Sequence, residues 1–440
     1  MTTHTFVRPG DPEVPPQTGG GKIKLEPAIV APIPSPRSLW GVVLPVMLIV
    51  GVVGLIVVMY VSGARQLAGG FGLFGGMAAF SMVGMVLRNR GASRKMSWGE
   101  LTARRRKWFA NQDDIREEVN VQRKRQWEHR QYFHWDPQDL VSVAGSVRMW
   151  DRDPDSDMFS VVRVGVGKVK LAMLLEKPEI APAADLEPAT GHALRKFLNA
   201  QEYVDDMPKV IWLQRYPGMS IVGDIDAGRA LARAMLCQLS AFHGPTDLQV
   251  IVVSAAPGEW EWAKWLPHFQ HEERRDGCGE RRLLFSSPAE LEAFFDEDPA
   301  GARQAWTQPT SGLSGGSQTL PLRVIVDDNC ATPEDWAGLT GATGYAGTCF
   351  VRLAPTEPPR PPATAAAGAR HWVGFAPDTT YRLTDGALRK RVTVADRHRD
   401  PRVSEQYSQN AAKSDESEDV FYAKADQLSV DDAERFARSL

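Results

Sequence analysis

Cysteine is scarce in this chain of 440 residues, which carries only Cys237, Cys278, Cys330 and Cys349. None belongs to a Cys-x-x-Cys pair, so neither a zinc site nor a disulfide framework is expected, and reduced thiols are the default. No intact Gly-x-x-x-x-Gly-Lys-Ser/Thr occurs anywhere, which removes the plainest signal of a working nucleotide site. Neither sign of charge is in large excess. The formal net charge of −3 averages a greasy segment with a polar remainder and says little about partners. Residues 1–38 lack the apolar block of a signal peptide. They are polar and rich in proline and glycine, as in RPGDPEVPPQTGGGK (8–22) and APIPSPR (31–37), so an extended or disordered tail is expected.

Two stretches have no charged residue at all, 41–62 and 67–87. At about 1.5 Å per helical residue the first reaches about 33 Å, enough to cross a hydrocarbon core of ~30 Å. The link Gly63-Ala64-Arg65-Gln66 is too short for a domain, so residues 39–88 read as a two-helix transmembrane hairpin with both chain ends on one side. Residues 88–130 hold 13 Lys/Arg against 6 Asp/Glu, and the positive-inside rule puts that side in the cytoplasm. Both termini are therefore expected to be cytosolic. The second run carries Gly72-x-x-x-Gly76, a small-residue face suited to a partner helix.

Ser97-Trp98-Gly99-Glu100 has the form of a capping box, and no proline follows before about Arg130. Trp98, Leu101, Trp108, Ile115 and Val119 fall at helical or heptad spacing, so residues 89–134 read as a basic helical stalk. Arg105, Gln112 and Gln122 interrupt the seam, which makes any coiled coil weak. Roughly 35 helical residues would span about 50 Å and lift the following domain off the bilayer. The basic runs Arg104–Lys107 and Arg123–Arg125 suit anionic headgroups, or else a solvated helix face.

Residues 135–400 read as an α/β domain. Candidate strands are Phe159–Val166, Val210–Leu213, Met219–Val222, Leu248–Val253, Arg282–Phe285, Leu322–Val326 and Thr348–Leu353, and the clearest helix is Ala227–His243. Strand, turn, helix and strand in succession suggest a parallel sheet. One turn carries the most chemistry. After the strand comes Gly223-Asp224-Ile225-Asp226-Ala227-Gly228-Arg229-Ala230, with Arg229 where a P-loop has lysine and Ala230 where it has the Mg²⁺-binding hydroxyl. The location suits a phosphate cradle, because glycines in a strand-to-helix turn leave backbone N–H groups facing an anion. The chemistry does not suit it. Ala230 cannot ligate Mg²⁺, and Asp224 and Asp226 put two negative charges where phosphates would sit. The competing reading is a helix cap at Asp224 or Asp226. Downstream, Val324-Ile325-Val326-Asp327-Asp328 has the form of a Walker B strand, whose acids would hold Mg²⁺ and activate water. Together the two motifs point to a degenerate P-loop NTPase fold that binds ATP weakly or not at all.

Trp260, Trp262 and Trp265 are followed by Pro267 and His268, and the plain reading is aromatic anchors against the sheet. His268 and His271 as metal ligands are the sharper alternative, and no metal is expected. Residues 401–440 read as a linker followed by the start of a further domain, with Ser429 capping a new amphipathic helix that runs to the last residue.

These parts, in this order, resemble EccC, the membrane-anchored FtsK/SpoIIIE-type ATPase of mycobacterial type VII (ESX) secretion systems. The resemblance rests on GKIKLEP (21–27), the hairpin, RMWDRDP (148–154), VVRVGVG (161–167), LEPATGHAL (186–194), MLCQLSAFHGP (235–245) and WEWAKWLPHFQH (260–271). SVDDAERFARSL (429–440) looks like the segment that leads into the family's first full ATPase domain. The resemblance implies a bacterial plasma-membrane location and an anchor, stalk and membrane-proximal domain, with ATP and Mg²⁺ used further downstream. It also implies EccB, EccD and EccE as partners, a hexameric machine, and small helical-hairpin proteins as cargo. Two other functions compete. A non-motor membrane scaffold or nucleotide sensor is one. A DNA-pumping FtsK-like translocase is the other; it needs a four-helix anchor, so nucleic acid is not an expected partner.

Overall fold

Short apolar runs bounded by turns become neighbouring parallel strands in a computed structural model. It describes residues 10, 14–31, eight positions between 47 and 61, 98–179, 181–182, 185–296, 303–307, 321–332, 335–341, 343–357, 379–393 and 417–440. The strands are β1 (Lys22–Lys24), β2 (Val161–Lys170), β3 (Leu174–Glu176), β4 (Tyr203–Trp212), β5 (Gly218–Gly223), β6 (Leu248–Ser254), β7 (Gln270–Asp276), β8 (Gly279–Arg282), β9 (Leu284–Phe285), β10 (Leu322–Asp328), β11 (Thr348–Ala354), β12 (Thr380–Thr384), β13 (Ala387–Thr393) and β14 (Ser417–Ala425). The helices are α1 (Trp98–Phe133), α2 (Pro188–Gln201), α3 (Ile225–Phe242), α4 (Pro288–Asp296), α5 (Ala337–Thr340) and α6 (Val430–Ser439). Among the described residues no helix is long and apolar enough to cross a membrane. The expected hairpin lies almost wholly outside the described residues. Eight scattered positions of its first run are described, and all eight are helical and exposed.

The chain divides into two units, 21–120 with 173–201, and 1–20 with 121–172 and 202–440. In the first, β1 pairs in parallel with β3, and Leu25 and Ala28 beside it are buried. The Trp108 indole N–H donates to the Pro27 carbonyl at 3.0 Å. Glu187 starts α2 by accepting from the Ala189 and Thr190 amides at 3.2 and 2.8 Å and from the Arg105 guanidinium at 2.5 Å. Residues 21–31 therefore correct the expectation of a tail without a core. Leu25 and Ala28 give it an apolar side, and β3 supplies the backbone partners that a strand needs.

The expected long helix is α1, but it is not a bare strut. Trp108, Gln112, Ile115, Val119, Gln122 and Gln126, spaced alternately four and three apart, are all 9% exposed or less. The seam runs straight through the glutamines that were expected to break it. In the second unit the Gln126 amide donates to the Lys170 carbonyl and accepts from the Ala172 amide, both at 2.9 Å. Satisfied in this way, an amide can lie inside without the cost of an unpaired polar group.

The second unit is built on a ten-stranded sheet of order β4-β2-β14-β13-β12-β5-β11-β10-β6-β9. The run from β12 to β9 is parallel and the other half is antiparallel. The parallel strands are covered on both sides, which is why they read as unbroken apolar runs. Val250, Val252, Val324, Val326 and Val351 face one core with the nearly all-buried α3, while Ile251, Val253, Ile325 and Phe350 face another with Phe294 and Trp336. Each such buried side chain stabilises the fold by about 1.5–3 kcal/mol. The expected boundary at 401 does not stand. Residues 417–425 form β14 in the middle of the sheet, and Ala433, Phe436 and Ala437 of α6 belong to the α3 core. The sequence is polar there because pairing and one buried face, rather than an apolar run, hold it.

Candidate functional site

The glycine-rich turn and the Asp-Asp strand end meet at the carboxyl edge of the parallel sheet, where α/β proteins place ligands. β5 and β10 are separated by β11 alone. The fold thus brings the two halves of the suspected nucleotide motif together, but not as a cradle. α3 begins at Ile225, only one residue after β5 ends, so four of the six residues from Gly223 to Gly228 are already helical. Asp224 is the N-cap, and its carboxylate accepts from the amides of Asp226 at 3.0 Å and Ala227 at 3.2 Å. These are the N–H groups that a phosphate would need. Gly223 has φ of +133°, and a Cβ there would lie 2.1 Å from the Leu383 carbonyl oxygen, so glycine is required by the approach of β12 rather than by a ligand. Gly228 lies within the helix, and a Cβ there would meet only ordinary contacts at 3.8 Å.

Arg229 turns inward. Its Nε–H lies 2.9 and 3.2 Å from the two carboxylate oxygens of Asp328, and its Nη1 is 3.2 Å from Asp226. Asp328 also accepts from the Ser254 hydroxyl at 2.7 Å and the Trp260 indole N–H at 2.9 Å. Its side chain is fully buried. The hydrogen bond that Arg229 donates to Asp328 is the chief reason that its guanidinium is held above its ordinary range. Residue 230 has no hydroxyl; instead its carbonyl accepts from the Leu428 amide at 3.2 Å. Asp327 points to the opposite face of the sheet. It accepts from the Cys330 amide at 3.2 Å and lies 3.6 Å from Arg352, and burial raises its carboxyl above the usual range.

The residues present therefore do not fit Mg-ATP. The amides at the helix start are capped, the hydroxyl is absent, and a metal ion would have to displace Arg229 from Asp328. What the arrangement does is tie β6, β10, α3 and the 3₁₀ segment Pro257–Trp265 to one carboxylate. Ser254 and Trp260 are the members that sequence reasoning missed. Ser254 sits opposite Asp328 in the β6–β10 register, and Trp260 is fully buried, so its N–H demanded a partner. His268 and His271 form no metal site: His268 bonds the His243 carbonyl at 2.8 Å, and His271 Nδ1 accepts the amides of Glu273 and Arg274. Among the described residues no group of three side chains suits a metal ion.

The chain is 35% identical over 356 residues to ESX-5 secretion system protein EccC5 of Mycobacterium marinum, covering 79% of this chain and 25% of that protein. It is 33% identical over 296 residues to ESX secretion system protein EccC of Thermomonospora curvata, covering 64% and 22%. The chain belongs to the EccC family. It is also 31% identical over 339 residues to ESX-1 secretion system protein EccCa1 of Mycobacterium tuberculosis, covering 74% of this chain and 44% of that one. The chain thus spans about a quarter of the length of the EccC5 relatives it matches. No protein-family model matches. Among solved structures, the cytoplasmic domain of the Thermomonospora curvata type VII secretion ATPase EccC gives a TM-score of 0.28 at 14% identity over 64% of this chain and 30% of that one, a likeness too slight to argue from. The α/β fold rests instead on the sheet described above.

Proposed function

We propose that this EccC chain is the anchoring and coupling portion of a type VII secretion motor, and that its Gly223–Asp328 site is a structural lock rather than a nucleotide site. The observation that carries the reading is the Arg229–Asp328 pair. The cation and the acid that would serve ATP and Mg²⁺ neutralise one another, and Trp260 and Ser254 complete the set. A domain locked in this way is suited to transmitting motion as a rigid body. Hydrolysis of ATP with Mg²⁺ would belong to further EccC domains, and export of helical-hairpin cargo would follow from them. Residues 41–62 and 67–87 would cross the plasma membrane as a hairpin that leaves both flanks cytosolic. The glycine face at Gly72 and Gly76 would pack on partner helices within a hexameric assembly with EccB, EccD and EccE. Gly20→Cys and Ala64→Cys test the anchor. A Cβ at Gly20 meets nothing within 4 Å, so that cysteine is tolerated. In intact cells a membrane-impermeant thiol reagent should label position 64 and spare position 20. Equal labelling of the two removes the hairpin.

A further inference from the structure

The first turns of α1 carry charge that the lock does not use. Trp98 opens the helix and is 79% exposed. Arg104, Arg106 and Lys107 are exposed, and none has an acidic partner among the described residues. Arg105 between them is paired with Glu187 at 2.5 Å. The second basic run differs. Arg123 donates to the Tyr203 carbonyl at 2.6 Å, and Lys124 lies 3.8 Å from Glu128.

Two independent observations say what meets the free cations. The second apolar run ends at Leu87, and the short link from there to Trp98 contains Arg88, Arg90, Arg94 and Lys95 but no acid. Such a link reaches at most about 40 Å even when fully extended. In the first apolar run the described side chains are helical and uncovered, from Val53 and Val57 at 54% exposed to Val61 at 79%. A helix with that surface needs hydrocarbon around it.

We propose that the first three turns of α1 form a docking surface for an anionic lipid bilayer, with the Trp98 indole at headgroup depth and Arg104, Arg106 and Lys107 against lipid phosphates. An indole is apolar in body and polar at its N–H, which favours the membrane–water boundary. Each cation near an anionic leaflet strengthens the contact about fivefold, and the effect fades within a screening length of ~8 Å at physiological salt. The cations lie about 9–14 Å along the helix axis from Trp98, so α1 must tilt for all of them to engage. The proposal rests on the hairpin reading of residues 39–88.

The test uses the full chain in lipid nanodiscs, with Cys278 and Cys330 changed to serine and an NBD fluorophore attached through Trp98→Cys. A second sample carries the fluorophore at Val57→Cys and reports the hairpin alone. The label at 98 should emit blue-shifted in phosphatidylglycerol-containing discs. The shift should shrink in pure phosphatidylcholine and be lost in the R104E/R106E/K107E variant and in about 0.5 M salt. A water-like signal at 98 beside a blue-shifted one at 57 overturns the docking surface and leaves the hairpin standing. A water-like signal at 57 overturns the hairpin and the proposal with it. A shift at 98 that ignores lipid charge and charge reversal overturns the role given to the three cations.

Discussion

Arg229 and the run Arg104–Lys107 sit near the starts of two helices, and their charges meet opposite fates. Arg229 lies against a buried carboxylate and is only 18% exposed, whereas Arg104, Arg106 and Lys107 are exposed and have no acidic partner among the described residues. Arg229 occupies the motif position where a nucleotide-binding cation belongs, yet its charge is already spent inside the fold. The basic run at 104–107, Arg105 apart, is the one still open to a ligand. The difference teaches that a cation in a motif indicates binding only once its counter-charge has been located.

The sharpest way to break this comparison is to remove the counter-charge. Asp328→Leu leaves Arg229 without its main partner and removes the acceptor of Ser254 and Trp260. Loss of one member of a buried pair costs about 3–5 kcal/mol, which should lower the melting midpoint by roughly 10 °C in tryptophan-fluorescence unfolding of the detergent-solubilised chain. A carboxylate kept for catalysis alone would leave the melt almost unmoved. Trp260→Phe keeps most of the ring and removes one hydrogen bond to the charged acid, so a smaller loss of about 1.5–3 kcal/mol is expected in the same melt.

Asp426 sharpens the comparison from a third side, because it is a buried acid held by Arg163 at 2.9 Å but, among the described residues, with no neutral donor set like that of Asp328. Burial raises its carboxyl to about 6, against the pull of Arg163. The folded chain therefore holds this proton more tightly than the unfolded chain, in which an aspartic acid titrates near 3.9. Stability from this group is fully present below about pH 4 and is lost as the pH rises through about 6. The effect is on the order of 3 kcal/mol, and Asp426→Asn should flatten that part of the pH–stability curve. The R104E/R106E/K107E variant marks the low end, with a change in stability of about 0.5 kcal/mol or less, since these exposed side chains have no acidic partner among the described residues.

Much of the sheet was legible beforehand. All seven expected strands lie on observed ones, because strands buried on both faces leave unbroken apolar runs such as Leu248–Ser254 and Leu322–Asp328. The meeting of the glycine turn with the Asp-Asp strand end was legible from order and spacing. What spacing does not encode is where the helix begins. Gly223 to Gly228 has the same length as a loop around phosphate or as a capped first turn, and Asp224 decides for the cap. The β12–β13 hairpin had a local signal, the Asp385-Gly386 pair with φ of 50° and 71°, which a search for apolar runs passes over. β1 and β14 had none, because both are polar segments held by partners far away in the chain.

The lock itself is tested most directly by nucleotide. The full chain would be titrated with Mg-ATP by calorimetry and assayed for phosphate release, beside Asp328→Asn. With the helix-start amides capped by Asp224 and Arg229 bound to Asp328, no binding in the micromolar range and no turnover are expected in either protein. Micromolar binding, with turnover that disappears in Asp328→Asn, would show that Arg229 releases the acid to a metal ion and would contradict the account.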